Sequence, residues 1–106
     1  NAGVGYFGKI EDYTDDQIAQ MFEANVYGTL YTCREAVPMM KAQERGHIIN
    51  IASTAALEGY PEVSVYCATK HAVKAISESM YKELRDFAVK VTCVIPEVLR
   101  QISLEI

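Results

Sequence analysis

Between residues 15 and 44, apolar side chains recur at intervals of three and four positions, which is the spacing of one face of an α-helix. The segment Thr14–Gln17 matches a capping box, in which the Thr14 hydroxyl bonds the backbone of Gln17 and the Gln17 side chain bonds back. The pattern therefore predicts an amphipathic helix that begins after Thr14. Pro38 is expected to kink this helix or to begin a new segment, and Gly46 is expected to serve as its C-cap.

A second helix is predicted at about residues 65–87, and a short β-branched run follows each helix. These runs are His47–Ala52 and Lys90–Ile95, the second of which is closed by Pro96. Nearly continuous apolar character is typical of strands buried in a parallel sheet, and a strand–helix–strand order implies a right-handed crossover. The predicted fold class is therefore α/β, a partial doubly wound parallel sheet in the order helix, strand, helix, strand. It forms one domain over residues 1–106.

The amino-acid composition indicates which partners and which cell compartment to expect. The chain has 14 Asp and Glu against 10 Lys and Arg, a net charge of −4, which argues against nucleic acid or an anionic membrane as a partner. No apolar run reaches transmembrane length, and the sequence contains no signal-peptide pattern. Cys33, Cys67 and Cys93 form no Cys-x-x-Cys pair and leave an odd number, which indicates a reducing, cytoplasmic location. His47 and His71 share no metal-ligand spacing with these cysteines, so no metal site is expected.

The candidate chemistry lies in Tyr66, Lys70 and Ser53. Tyr66 and Lys70 are four residues apart at the start of the second helix and therefore share one helix face. A tyrosine with a pKa of about 10 is a poor base at neutral pH, but a nearby ammonium favours its phenolate form. Ser53 follows the first strand, and ligands of parallel sheets bind beyond the carboxyl ends of the strands, where a hydroxyl could polarise a substrate oxygen. The alternative is a tyrosine and a lysine on a solvated helix face, because this spacing alone often occurs by chance.

A glycine-rich segment, Gly3-Val4-Gly5-Tyr6-Phe7-Gly8, matches the Gly-x-Gly-x-x-Gly dinucleotide pattern. That pattern requires a strand before it and a helix that opens at its third glycine. Almost no chain precedes Gly3, and the helical pattern begins only after Thr14. A loop is therefore the preferred interpretation, with phosphate binding as the alternative.

Together these segments resemble the classical short-chain dehydrogenase/reductase family, from Asn1 to about Leu99. The spacing from Ser53 to Tyr66 and from Tyr66 to Lys70 is also that of the family. The segments that carry the resemblance occur in the family's order: Asn1-Ala2-Gly3 for part of Asn-Asn-Ala-Gly, Asn25-Val26-Tyr27-Gly28 for Asn-x-x-Gly, residues 46–53 for Gly-x-Ile-(Val/Ile)-Asn-Ile-Ser-Ser, Tyr66-Cys67-Ala68-Thr69-Lys70 for Tyr-x-Ala-Ser-Lys, and Val94-Ile95-Pro96 for the start of Val-x-Pro-Gly.

The resemblance implies a Rossmann-like fold that interconverts a secondary alcohol and a ketone, with NAD or NADP as cofactor and a small molecule as substrate. Tyr66 would be the general acid/base, Lys70 would lower the pKa of Tyr66 and bind the nicotinamide ribose, and Ser53 would hold the substrate oxygen. Asn25 would support a water-linked proton relay through Lys70. The residues expected to contact the cofactor are Asn1, Ala2, Gly3, Tyr66, Lys70 and Pro96.

The sequence also departs from the family. It lacks the N-terminal dinucleotide-binding half with its glycine-rich pyrophosphate loop, so a fragment of a longer protein is expected. Glu97 stands where the family usually has Gly, Gln101 stands where it usually has Thr, and the tail Arg100–Ile106 falls in the family's variable substrate loop.

Two hypotheses stay open. In the first, the chain is the catalytic part of an oxidoreductase, although the isolated 106 residues are expected to show negligible activity. In the second, it is a non-catalytic fragment that packs through its two long helices. In the family these helices form a dimer interface, which implies a homo-oligomer, either a dimer or a tetramer.

Overall fold

The computed structural model describes residues 5–53, 57–96 and 101–105, the side chains of Pro96 and of residues 101–105 excepted. The predicted α/β class and the order helix, strand, helix, strand are confirmed, and a further strand follows. In chain order the main elements are α1 (Asp15–Phe22), α2 (Gly28–Gln43), β1 (Gly46–Ile51), α3 (Ser64–Leu84), β2 (Val89–Pro96) and β3 (Gln101–Glu105). A short 3-10 turn, Ile10–Asp12, precedes α1.

The first helical region begins as predicted but is not one continuous α-helix. The Thr14 hydroxyl accepts the Gln17 N–H and the Gln17 side chain accepts the Thr14 N–H, both at 3.1 Å, which completes the capping box. A π-helical segment, Glu23–Tyr27, then separates α1 from α2. One extra residue per turn in such a segment changes which side chains face inward, and π-segments are frequent at functional sites.

At the end of this region the predicted C-cap was wrong, and one of the two alternatives for Pro38 is excluded. Gly46 is not the C-cap, because it is already the first residue of β1. The cap is Glu44, which adopts the left-handed conformation with φ 53° and donates its N–H to the carbonyls of Lys41 and Met40. No new segment begins at Pro38, since α2 continues through it to Gln43. Pro38 is exposed, so water can satisfy the carbonyl that the missing N–H leaves unpaired.

The sheet has the order β1-β2-β3 within the described residues. β1 and β2 are parallel, with partners from Gly46↔Val89 to Ile51↔Val94, as the strand–helix–strand order predicted. β3 corrects the interpretation of the tail Arg100–Ile106 as a loop, because Gln101–Glu105 pairs with β2 in antiparallel register. Polar and apolar residues alternate over this segment, which is the period of a strand.

The core lies between one face of the sheet and the helices α2 and α3. Two clusters of buried side chains fill it: Cys33, Ile48, Met80, Leu84, Val89 and Val91 in one, and Ala52, Val73, Cys93 and Ile95 in the other. Cys33, Cys67 and Cys93 are free thiols and are all buried. Burial raises the pKa of the Cys33 and Cys93 thiols.

The opposite face of β1 is uncovered in the described part of the chain. Ile48 is 8% exposed, whereas its neighbours Ile49 and Ile51 are 55% and 39% exposed. Alternate residues of a strand point to opposite faces, so the helices cover only one side of this strand. None of the described helices is both long and apolar enough to cross a membrane.

Candidate active site

Tyr66 and Lys70 lie in the first turns of α3, the helix that follows β1 in the chain. The Lys70 Nζ is 5.6 Å from the centroid of the Tyr66 ring, within the range of a cation–π contact. Lys70 is only 7% exposed, and neither of the ion pairs among the described residues includes it. Burial lowers the pKa of the Lys70 ammonium, and the nearby Cys93 opposes this more weakly. The fold thus places a buried ammonium, unpaired with any described carboxylate, beside a tyrosine.

Ser53 is the residue after Ala52, which is hydrogen-bonded to β2 just beyond the end of β1. The Ala52 N–H donates to the Val94 carbonyl at 2.8 Å, and Ser53 is the next residue, partly buried, at the carboxyl ends of both parallel strands. This edge of a parallel sheet is where ligands bind. The predicted position of Ser53 relative to the sheet therefore agrees with the structure.

Asn25 lies in the π-helical segment and is 2% exposed. Its Nδ2 donates to the Thr69 hydroxyl at 3.1 Å, and the Thr69 hydroxyl donates to the Tyr66 carbonyl at 2.7 Å. The expected relay ran from Asn25 towards Lys70, whereas the contact observed here runs to the neighbouring Thr69. Asn25 is thereby joined to the backbone of the turn that carries Tyr66.

Thr69 is a site residue that the sequence interpretation missed. It is fully buried and supplies the acceptor for the Asn25 amide. A buried amide requires partners, so a site role for Asn25 implies a polar partner on a neighbouring helix. Thr69 is the residue directly before Lys70 and was available for that role.

Gly5 packs against the ring of Tyr66. A Cβ atom added at Gly5 would lie 3.2 Å from the Tyr66 Cδ1 and 3.4 Å from its Cε1. The first described part of the N-terminal loop therefore forms one wall beside the candidate acid/base. This close approach gives Gly5 a role that does not require phosphate binding.

A family model for the short chain dehydrogenases matches residues 1–102. The chain belongs to the short-chain dehydrogenase family. An uncharacterized oxidoreductase of Staphylococcus aureus strain MRSA252 is 43% identical over 96 residues, which are 91% of this chain and 42% of that relative. This short-chain dehydrogenase chain therefore spans less than half the length of the curated relative that it matches.

Solved structures of the family share the fold. A short-chain dehydrogenase/reductase from Burkholderia phymatum, solved in complex with NAD, is 35% identical with a TM-score of 0.81, over 89% of this chain and 34% of that one. A gluconate 5-dehydrogenase from Burkholderia cenocepacia, solved with NADP and tartrate, has a TM-score of 0.87 over 91% of this chain and 38% of that one. Its identity of 24% supports a common fold alone.

Several positions of the family's motifs cannot be placed. The predicted cofactor contacts Asn1, Ala2 and Gly3 and the departure at Glu97 lie outside the described residues. Pro96 ends β2, where its backbone is partnered with Gln101 of β3. The roles of Asn25, Ser53, Tyr66 and Lys70 stay predictions, now with the positions given above.

Proposed function

We propose that this chain is the proton-handling part of an NAD(P)-dependent oxidoreductase that interconverts a secondary alcohol and a ketone. The observation that carries the proposal is the ammonium of Lys70, which lies beside Tyr66 at the ligand-binding edge of the sheet and has no ion-pair partner among the described residues. An unpaired charge in such a place is expensive to maintain for structure alone, and perturbed lysines cluster at functional sites.

The residues of this site fit a nicotinamide nucleotide. The Lys70 ammonium lies 5.6 Å from the centroid of the Tyr66 ring, both side chains can donate hydrogen bonds to sugar hydroxyls, and no described carboxylate competes for the Lys70 Nζ. Lys70 and Tyr66 would hold the nicotinamide ribose, and by family resemblance Asn1, Ala2, Gly3 and Pro96 would contact the rest of the cofactor. A solved structure 35% identical to this chain contains NAD and one 29% identical contains NADP, which supports this class of cofactor without choosing between the two.

In the reducing direction, the Tyr66 hydroxyl donates its proton to the carbonyl oxygen of the ketone. Ser53 donates a hydrogen bond to the same oxygen and keeps it near the Tyr66 hydroxyl. The positive charge of Lys70 stabilises the negative charge that develops on the Tyr66 oxygen. Asn25 supports the water-linked return of a proton through Lys70 and holds the Tyr66 turn through Thr69. The nicotinamide, when bound, supplies the hydride.

The test replaces Tyr66 by phenylalanine in the protein expressed from its complete coding sequence. Turnover of a panel of ketones and secondary alcohols is followed by nicotinamide absorbance. Loss of the acid/base should lower kcat at least about hundredfold even when the cofactor is saturating. Tyr81→Phe, at the far end of α3, is the matched control and should keep its activity. Full activity of the Tyr66→Phe variant would overturn the proposal.

A second candidate function is helix-mediated assembly without catalysis. A groove of about 530 Å³ runs between α2 and α3 and is lined by Leu30, Cys33, Arg34, Val37, Pro38, Ala75, Ile76, Ser79, Met80 and Glu83. Leu30 is 41% exposed at this groove, so an apolar surface is open to a second copy of the chain. Assembly through these helices is compatible with catalysis, and only the Tyr66→Phe experiment separates the two functions.

The compartment is also part of this proposal. Three buried free thiols suit a reducing environment, where no disulfide is required to hold the fold. We therefore propose that the protein is located in the cytoplasm. Fractionation of the source cells with a compartment marker tests this placement.

A further inference from the structure

The segment of residues 5–13 is bonded to the turn that precedes α3. The Glu62 carbonyl accepts the Gly8 N–H at 2.8 Å and the Tyr13 hydroxyl at 3.2 Å. The Tyr13 hydroxyl also lies 3.2 Å from the Tyr6 carbonyl, so its single proton is shared between two carbonyls. At the other end of the segment, the Tyr6 hydroxyl donates to the Gln20 side chain of α1 at 2.6 Å.

Glu62 holds an unusual backbone conformation at this contact. Its φ is 65°, in the left-handed region that residues other than glycine rarely adopt. Such a conformation persists only where the surroundings fix it. The bonds from Gly8 and Tyr13 to the Glu62 carbonyl are the described contacts that do so.

The entry to α3 has no capping side chain of its own. Its N-cap is Val63, whose side chain cannot accept a hydrogen bond from the first turn, although the Val63 carbonyl accepts the Cys67 N–H at 2.8 Å. A change in the backbone of Glu62, the residue directly before this N-cap, would therefore alter the direction of the first turn. Tyr66 lies in that first turn.

The same loop also lies against Tyr66 directly, because Gly5 packs on the ring closely enough that a Cβ atom would come within 3.2 Å of it. Movement of the loop would thus disturb Tyr66 in two ways. It would remove the wall at Gly5, and it would release the Glu62 carbonyl at the helix start.

We propose that Tyr13 is a positioning residue of the active site, whose hydroxyl holds the Glu62 carbonyl and the loop wall so that Tyr66 keeps its orientation. The proposal rests on the proposed function of Tyr66 as acid/base. Tyr13 touches neither substrate nor cofactor in this role. It acts only through Glu62, Tyr6 and the loop.

The first test measures the contact without measuring activity. Tyr13→Phe removes one hydroxyl, and amide hydrogen exchange of Gly8 is followed by NMR in the protein from its complete coding sequence. Loss of one partly exposed hydrogen bond should speed exchange at Gly8 about fivefold, which corresponds to about 1 kcal/mol. Tyr81→Phe is the control and should leave the Gly8 rate unchanged. Equal Gly8 rates in the wild type and both variants would overturn the proposal.

The second test measures the consequence for Tyr66. In Tyr13→Phe, kcat should fall about fivefold with KM nearly constant, and the pH dependence of kcat should shift, because only the orientation of the acid/base has changed. A variant that merely loses stability would keep the kcat and pH profile of the folded enzyme. Faster exchange at Gly8 with wild-type kcat and pH profile would therefore reject the positioning role. Failure of the proposed function is recognised separately, by activity that survives Tyr66→Phe.

Discussion

Lys70 is a buried residue whose charge opposes the stability of the fold. Its side chain is almost entirely buried, and its ammonium faces the Tyr66 ring without a carboxylate from any described residue. Burial disfavours the charged form, which is why the pKa of Lys70 lies below its ordinary value of 10.5. An apolar side chain of similar length would fill the same space at lower cost. The proposed role of Lys70 beside Tyr66 would explain why a lysine is kept here, since no described carboxylate pairs with it.

Lys70→Met should therefore raise the free energy of unfolding by about 1 kcal/mol at neutral pH, while it abolishes turnover. Between the lowered pKa of folded Lys70 and 10.5, the unfolded chain binds more protons than the folded one, so wild-type stability rises with pH. The advantage of the methionine variant should shrink over that range. Urea unfolding at neutral pH and at about pH 10 measures both effects.

The exposed Lys82→Met, on the same helix, is the control and should change stability little at either pH. A Lys70→Met variant that is less stable than the wild type at neutral pH would contradict this account of the buried charge.

Among the elements, the π-helical segment and α3 are coupled by one buried hydroxyl. Thr69 accepts from Asn25 and donates to the Tyr66 carbonyl, so it links two helical regions at the turn that carries the candidate acid/base. Thr29 adds a bond from α2 to the Asn25 carbonyl at 3.2 Å. The irregular turn Glu23–Tyr27 is thus held in place by polar contacts and not by helix propensity alone.

Thr69→Val keeps the volume of the side chain and removes this link. The hydrogen bond from the buried Asn25 Nδ2 to position 69 is then lost, so the free energy of unfolding should fall by about 1–3 kcal/mol. Equilibrium urea unfolding gives the value, and the exposed Thr32→Val on α2 should change it by less than about 0.5 kcal/mol. A double-mutant cycle with Asn25→Leu should show coupling between positions 25 and 69. Strictly additive effects would mean that the two side chains do not act together.

At the scale of the whole molecule, the open groove between α2 and α3 is the surface through which a second copy is proposed to bind. The proposed assembly buries Leu30 at this groove. Leu30→Glu should weaken self-association at least about tenfold, because a carboxylate would be buried in an apolar contact. Sedimentation of the protein from its complete coding sequence at several concentrations measures this. Met39→Glu, at a residue that is 63% exposed and does not line the groove, should leave association unchanged. Association that is insensitive to Leu30→Glu would place the interface elsewhere.

Sequence patterns predicted the elements that follow from periodicity and capping. The Thr14–Gln17 box, the two parallel strands and the long α3 all agree with the structure. The patterns failed where a local choice depends on tertiary contacts. The spacing of the apolar residues does not indicate the π-helical segment. That segment is stabilised by the buried hydrogen bonding of Asn25, which depends on the tertiary structure.

The prediction of the C-cap of α2 was wrong for a related reason. Glycine at position 46 is the favoured C-cap by intrinsic preference, but the strand pairing of Gly46 with Val89 takes that residue into the sheet, and Glu44 adopts the left-handed conformation instead. At the site, the motif predicted Tyr66, Lys70, Ser53 and Asn25. It could not predict Thr69 or Tyr13, because their partners are distant in sequence and one of them is a backbone carbonyl.

The three buried cysteines are native probes of local opening in different parts of the molecule. Cys33, Cys67 and Cys93 lie in α2, in α3 and in β2, and they are 7%, 3% and 0% exposed. An alkylating reagent can reach each thiol only when the surrounding element opens. The labelling rate of each cysteine therefore measures how often its own element opens. Cys67 follows Tyr66 directly in the chain. The opening of the turn that carries the candidate acid/base can thus be timed separately from the opening of the core, without introducing any foreign group.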